Sequence, residues 1–292
     1  MKSIKRVVAV HDISGFGKAS LTAIIPILST MGIQVCPLPT AVLSAISEFP
    51  KTRLHDLTGF MDEVIDHWQS LDLRFDAVYS GFLGSPQQVK IMQNLIKKTA
   101  ARDCLIVIDP VMGDNGELYS VFTPEIITCM KELVKSAHVI TPNLTEAAFL
   151  LDEKTGKKLD RDTVIEWLHK LSDLGPQIVI ITSVPDYDDE TKTCVFAYDR
   201  SVREYWKMSC EYIPGGFPGT GDTFTSVVTG CLMQNKSLSY AIEKAAKFVY
   251  KAIEFSLDYL NDRRQGIYLE PVLPELLKPL EQQNIQKIEW SK

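Results

Sequence analysis

The stretch Gly219-Thr220-Gly221-Asp222 stands directly before a run in which Phe224, Val227, Val228, Cys231 and Leu232 recur at helical spacing. A helix therefore begins near Asp222. The glycines ahead of it let backbone N–H groups converge where the helix terminus carries partial positive charge, a setting suited to an anion. A carboxylate there has two readings: it caps its own helix, worth about 1 kcal/mol, or it takes the proton of a substrate hydroxyl beside a bound phosphate. A second stretch, Asn143-Leu144-Thr145-Glu146, has the spacing of a capping box. The same spacing aims both side chains beyond a strand end, where Glu146 could ligate or orient a metal ion and its water.

Asp109 precedes Pro110, which favours an extended backbone and holds the carboxylate at a strand end. Asp114 and Glu117 follow in MGDNG, whose composition is that of a solvated turn. Carboxylates so placed also suit a hydrated Mg²⁺ shared with substrate phosphates. Near the N-terminus, HDISGFGKAS contains Gly15, Gly17 and Ser20 in a G-x-G-x-x-S pattern. A dinucleotide fingerprint would place an acidic residue about 20 positions further on, and QVCPLPTAV has none. Lys18 is followed by Ala19, so the loop is not a Walker A loop either; a plain helix-entry turn is the other reading.

The elements that must position these residues alternate along the chain. Short β-branched runs at 6–10, 33–39, 77–81, 105–109, 138–141 and 178–183 are separated by helix-like segments at 18–31, 59–70, 85–101, 123–136, 143–151 and 161–174, with two more helices at 222–234 and 239–257. Such alternation predicts βαβ units and a mostly parallel sheet covered on both faces, a three-layer α/β/α sandwich. The runs 194–199 and 203–213 have no helix between them and are expected to form an antiparallel hairpin at one edge. No linker or repeat divides residues 1–292, which predicts a single domain. In such a sheet ligands collect beyond the carboxyl ends of the strands.

With 31 basic and 37 acidic residues, the net charge of −6 argues against a general nucleic-acid or membrane-surface binder. The six cysteines are scattered singly, with no C-x-x-C pair, and read as reduced core thiols. The apolar run near the N-terminus is broken by His11 and Asp12, too soon for a secretory segment, and no run reaches the ~18 apolar residues of a membrane span. A cytoplasmic location is expected.

Taken together, GTGD before a late helix, the N-x-x-E of PNLTE and the DPVMGDNGELY loop resemble the ribokinase-like small-molecule kinases. YSGFLGS (79–85), ITS (181–183) and LPTAVLSAISEF (38–49) extend the resemblance towards the pyridoxal kinase family within them. The resemblance implies an ATP-dependent, Mg²⁺-requiring kinase, with a monovalent cation as a further ligand, acting on a pyridoxal-like small molecule as a homodimer. It implies Asp222 as general base and the backbone of Gly219, Thr220 and Gly221 as an anion hole. Asp109 and Glu146 would belong to the Mg²⁺ and water network, with Asn143 nearby. Asp114, Thr182, Ser183 and Thr220 would contact ATP phosphates, Tyr119 and Thr141 would lie in the same nucleotide region, and Asp12, Ser47 and Phe82 would face the substrate ring. The loop 113–119 is the expected lid.

The chain also departs from that pattern. Ile46 stands where pyridoxal kinases carry a histidine, Phe82 where a tyrosine is common, and HDISGFGKAS is closer to the hydroxymethylpyrimidine kinases of the same superfamily. Hydroxymethylpyrimidine kinase is therefore the alternative activity, followed by a nucleotide-binding relative without catalysis. A hydride-transferring dinucleotide enzyme comes third, weakened by the missing acidic residue.

Overall fold

The computed structural model describes residues 4–154, 159–259, 261–281 and 284–290. In chain order the elements are β1 (Arg6–Ser14), α1 (Leu21–Thr30), β2 (Gln34–Leu43), β3 (Leu54–Asp56), α2 (Thr58–Ser70), β4 (Phe75–Ser80), α3 (Pro86–Thr99), β5 (Ala100–Ile108), β6 (Gly113–Asp114), β7 (Glu117–Leu118), α4 (Glu125–Val134), β8 (Val139–Ile140), α5 (Leu144–Leu151), α6 (Arg161–Asp173), β9 (Ile178–Pro185), β10 (Lys192–Asp199), β11 (Glu204–Glu211), α7 (Thr220–Met233), α8 (Leu238–Tyr259) and β12 (Gln286–Ile288). Ten strands form one sheet in the order β12-β11-β10-β9-β8-β5-β4-β1-β2-β3, and β6 with β7 makes a separate small hairpin.

The six strands from β9 to β2 in that order run parallel, as their buried, β-branched sequences require. Alternate side chains face opposite layers. Val8, Val10, Val78, Ile106 and Ile108 pack with α2 to α6, whereas Val7, Ala9, Ala77, Tyr79 and Val107 pack with α1, α7 and α8. This is the expected three-layer α/β/α sandwich.

The hairpin expected at one edge exists as β10 and β11, antiparallel over Lys192–Asp199 and Glu204–Glu211, but it is not outermost. β12, a polar three-residue strand with no periodic pattern, pairs antiparallel outside it, and β3 closes the opposite edge against the end of β2. Pro37 and Pro39 sit within β2 where β3 does not reach, so their missing N–H groups cost no ladder bond. A second difference bears on the site. β1 does not stop at Val10 but continues to Ser14, paired with β2 through an irregularity between His11 and Ile13, so His11 and Asp12 are held on a strand.

Candidate active site

The ends of β1, β4, β5 and β8 and the residues that follow them meet the first turns of α7, and Asp12, Asp109 and Asp222 gather there. Gly219 precedes α7 with φ 83°, and a side chain at this position would lie 2.2 Å from the Lys18 carbonyl oxygen, so only glycine fits. The Thr220 N–H turns back to the Phe217 carbonyl at 3.4 Å. Gly221 and Asp222 occupy the next turn positions, whose N–H groups have no acceptor within the helix.

Asp222 does not cap α7, which has no side-chain cap at all. Its Oδ2 instead accepts the Ser20 N–H at 2.7 Å, tying α7 to the entry of α1, and Ser20 Oγ in turn donates to Asp12 Oδ1 at 2.5 Å. Of the two readings of this aspartate, capping fails. The Asp222 side chain is 15% exposed. Burial raises its pKa to about 6, the Ser20 N–H opposing and the charge of Asp12 adding to the rise. Burial likewise lifts Asp12 above the usual carboxylate range, against the Ser20 hydroxyl.

Asp109 leaves the end of β5 with its N–H on the Ser80 carbonyl. Its Oδ2 lies 3.3 Å from Thr225 Oγ1, which is 2.9 Å from Thr141 Oγ1. Thr141 is buried, its hydroxyl engaged by Thr225 beside Asp109. In Asn143 and Glu146 the capping box is complete: Asn143 Oδ1 accepts the Glu146 N–H at 2.9 Å, and Glu146 Oε2 accepts the Asn143 N–H at 2.8 Å. Glu146 Oε1 also accepts the Met112 N–H at 3.1 Å, which fastens the 109–119 loop to α5. Burial pushes Asp109 well above the usual carboxylate range, with Asp222 adding and Thr225 opposing. Burial does the same to Glu146, with Asp109 adding to it and the N–H groups of Asn143 and Met112 opposing. Every charge that shifts these carboxylates is another carboxylate, so the pocket favours a cation.

Asp114 lies in the β6–β7 hairpin, whose turn residues Asn115 and Gly116 have φ 53° and 85°, the pairing of a type I′ turn. The hairpin is held from below by Asn143 Nδ2 on the Gly113 carbonyl at 2.8 Å and by the Gly116 N–H on Thr145 Oγ1 at 2.9 Å. Asp114 and Tyr119 are exposed on it. Thr182 pairs with Asn143, and Thr182 with Ser183 bulges from β9 opposite Val195, Ser183 taking φ 59°. Such a bulge re-aims side chains at a sheet end.

The substrate residues named from the resemblance divide. Asp12 joins the Ser20–Asp222 group, whereas Ser47 is exposed in the segment after β2 and Phe82 packs its ring 5.5 Å from Phe122. Ile46 is buried against Gly17, where a Cβ would lie 2.8 Å from its side chain. Residues that the sequence did not assign to the site complete it: Ser20, named there only as part of a glycine pattern, Thr225, Tyr79 and His11, the last with Nδ1 3.8 Å from Asp222 Oδ1. A helical repeat flags Thr225 only as one turn past Asp222; His11 and Tyr79 are brought in by the pairing of β1 with β4, and Ser20 by the loop that leads from β1 into α1. No helix among the described residues is long and apolar enough to cross a membrane.

Residues 28–265 match the pattern of the phosphomethylpyrimidine kinase family. A Bacteroides thetaiotaomicron protein, provisionally described as a phosphomethylpyrimidine kinase and crystallised in an orthorhombic form with pyridoxal, is 49% identical, with a TM-score of 0.95 over 98% of this chain and 100% of its own. The crystal structure of pyridoxal kinase from Lactobacillus plantarum is 28% identical, with a TM-score of 0.85 over 94% of this chain and 97% of its own. Pyridoxal kinase of Dictyostelium discoideum is 27% identical over 245 residues, 77% of this chain and 78% of its own length. The chain is accordingly a kinase of the phosphomethylpyrimidine kinase family, within the ribokinase-like superfamily to which the pyridoxal kinases belong.

Proposed function

We propose that the protein transfers the γ-phosphoryl group of ATP to the hydroxymethyl group of a pyridoxal-like compound, with Asp222 as the general base. The observation that carries this reading is the Asp222 carboxylate, which stands in the first turn of α7 without capping it and whose pKa burial pushes up to about 6, near the working pH of a base. Pyridoxal in crystals of the half-identical relative supports the choice of substrate.

Phosphoryl transfer asks a protein for positioning and charge neutralisation more than for covalent chemistry. The Gly219–Asp222 turn receives the transferring phosphate on its N–H groups. Asp222 Oδ1, opposite the oxygen committed to Ser20, takes the hydroxyl proton. Asp114, Tyr119, Thr182 and Ser183 flank the nucleotide on the hairpin and the bulge, with Asn143 bracing the hairpin and Thr141 bracing Asp109. Asp12, Phe82 and Ser47 line the ring side. Among the described residues no three carboxylate, imidazole or thiol groups form a metal cluster by themselves. Asp109 and Glu146 nevertheless fit a Mg²⁺: both are buried carboxylates, burial with the charge of Asp109 added raises the pKa of Glu146, and no basic group contributes to the shift of either. When bound, the ion supplies the positive charge that lets carboxylates and phosphate coexist.

A second reading, phosphorylation of a hydroxymethylpyrimidine, is favoured by one observation. Ile46 is pressed onto Gly17 and offers no polar contact to a ring hydroxyl of pyridoxal. ATP consumption measured with pyridoxal, pyridoxine, pyridoxamine and hydroxymethylpyrimidine tests both readings. Turnover of the B6 compounds is expected, preference for the pyrimidine replaces the first reading by the second, and silence across the panel overturns both.

A further inference from the structure

His11 is fully buried beneath the base, and neither of its ring nitrogens makes a hydrogen bond of ordinary geometry. A buried imidazole with only the Tyr79 backbone near it and no well-formed hydrogen bond costs free energy, and buried polar side chains are as a rule paired. Its placement is nevertheless tightly determined. The ring stands edge-on to Tyr79 with centroids 4.5 Å apart, and it occupies the space over Gly81, where a Cβ would lie 2.4 Å from Cε1 and 2.5 Å from Nδ1. Nδ1 therefore faces Asp222 Oδ1 at 3.8 Å, the oxygen that Ser20 does not use.

Resting on the assignment of Asp222 as base, we infer that His11 is a positioning residue whose neutral Nδ1–H closes onto Asp222 Oδ1 when substrate binds, fixing the carboxylate rotamer that receives the hydroxyl proton. Burial keeps the imidazole neutral, its pKa pulled down to about 3 and opposed only by the Tyr79 backbone. A neutral ring carries one N–H, and the Asp222 carboxylate, a stronger acceptor than the neutral Tyr79 carbonyl, favours its placement on Nδ1. The present separation is longer than a hydrogen bond, as catalytic contacts commonly are before the substrate complex tightens them. The opposite direction of proton flow is disfavoured, because Asp222 binds a proton more tightly than His11 does.

Two measurements test this. Nitrogen-15 NMR of the ring in the unliganded protein reads the tautomer without any turnover: a protonated Nδ1 is expected, and a bare Nδ1 with protonated Nε2 overturns the inference whatever the substrate proves to be. Kinetics then compare His11→Leu with His11→Asn, whose amide nitrogen reproduces Nδ1. With any hydroxymethyl substrate the wild type turns over, His11→Leu should lower kcat roughly tenfold to a hundredfold, as loss of a hydrogen bond to a charged group implies. Both KM values should stay within about twofold, since the fully buried ring positions Asp222 without being exposed to either substrate, and His11→Asn should recover most of kcat. Equal losses in both variants with a lowered Tm, or unchanged kcat in both, refute the positioning role and leave Asp222 as base untouched. Wild-type inactivity on every hydroxymethyl substrate refutes the base assignment, and with it this inference.

Discussion

Replacing Asp222 with asparagine should stabilise the unliganded protein while abolishing turnover. The carboxyl pKa stands at about 6 in the folded chain against 3.8 ordinarily. At 1.36 kcal/mol per pH unit, that difference opposes the ionised form by about 3 kcal/mol at neutral pH. The folded state binds the proton more tightly than the unfolded one. Stability contributed by this group is therefore full below pH 3.8 and is lost as pH rises through about 6. Asp222→Asn removes the buried charge and keeps an oxygen for the Ser20 N–H. Its gain should approach about 3 kcal/mol at pH 7.5, equivalent to a Tm rise of several degrees for a chain of this size, and should shrink towards zero at pH 4. Urea unfolding of both proteins at the two pH values provides the comparison, because the other buried carboxylates are common to both. A variant less stable than wild type at pH 7.5, or a gap that does not change with pH, would refute the argument that burial sets this pKa.

Glu146→Gln should raise the Mg²⁺ concentration needed for half-maximal activity several-fold. It should also lower stability by about 1–3 kcal/mol, since one backbone N–H loses its acceptor; an unchanged magnesium titration returns the residue to capping alone. Gly219→Ala forces a Cβ to 2.2 Å from a backbone carbonyl at φ 83°, so a loss of about 1–3 kcal/mol from strain, with a higher KM for ATP, is expected. A variant with wild-type melting and kinetics would remove the steric account.

The order of layers and most elements were legible because their signals are local: β-branched runs buried on both faces, and helical repeats such as Phe224 to Leu232. The edges were not. β12 is Gln-Lys-Ile, whose pairing with β11 is decided by tertiary position, not by its own residues. At the site, Asp109, Asn143, Glu146 and Asp222 announced themselves by spacing from turns and helix starts. Spacing could not rule out a cap for Asp222, because the partner that occupies its carboxylate instead, Ser20, lies 202 residues away. It identified the Glu146 capping box in full, yet could not show the Met112 N–H on the same carboxylate. His11 was hidden by the length of β1: read as the residue that ends an apolar run, it belongs instead to a strand prolonged by its pairing with β2.

The carbonyl of Lys18 sits where side chains at either Gly219 or Gly266 would strike it, at 2.2 and 2.4 Å, and the Lys18 N–H is bound to the carbonyl of Gln265. Three stretches, the second and third some two hundred or more positions after the first, are wedged together at this point, close to Asp222. During synthesis the chain emerges N-terminus first, so the loop that receives Asp222 waits, unsupported on this side, until residue 266 has left the ribosome. Nascent chains stopped short of that position should fold much of the sheet yet leave this loop unsupported, which makes protection of the loop from proteolysis a late marker of completed folding.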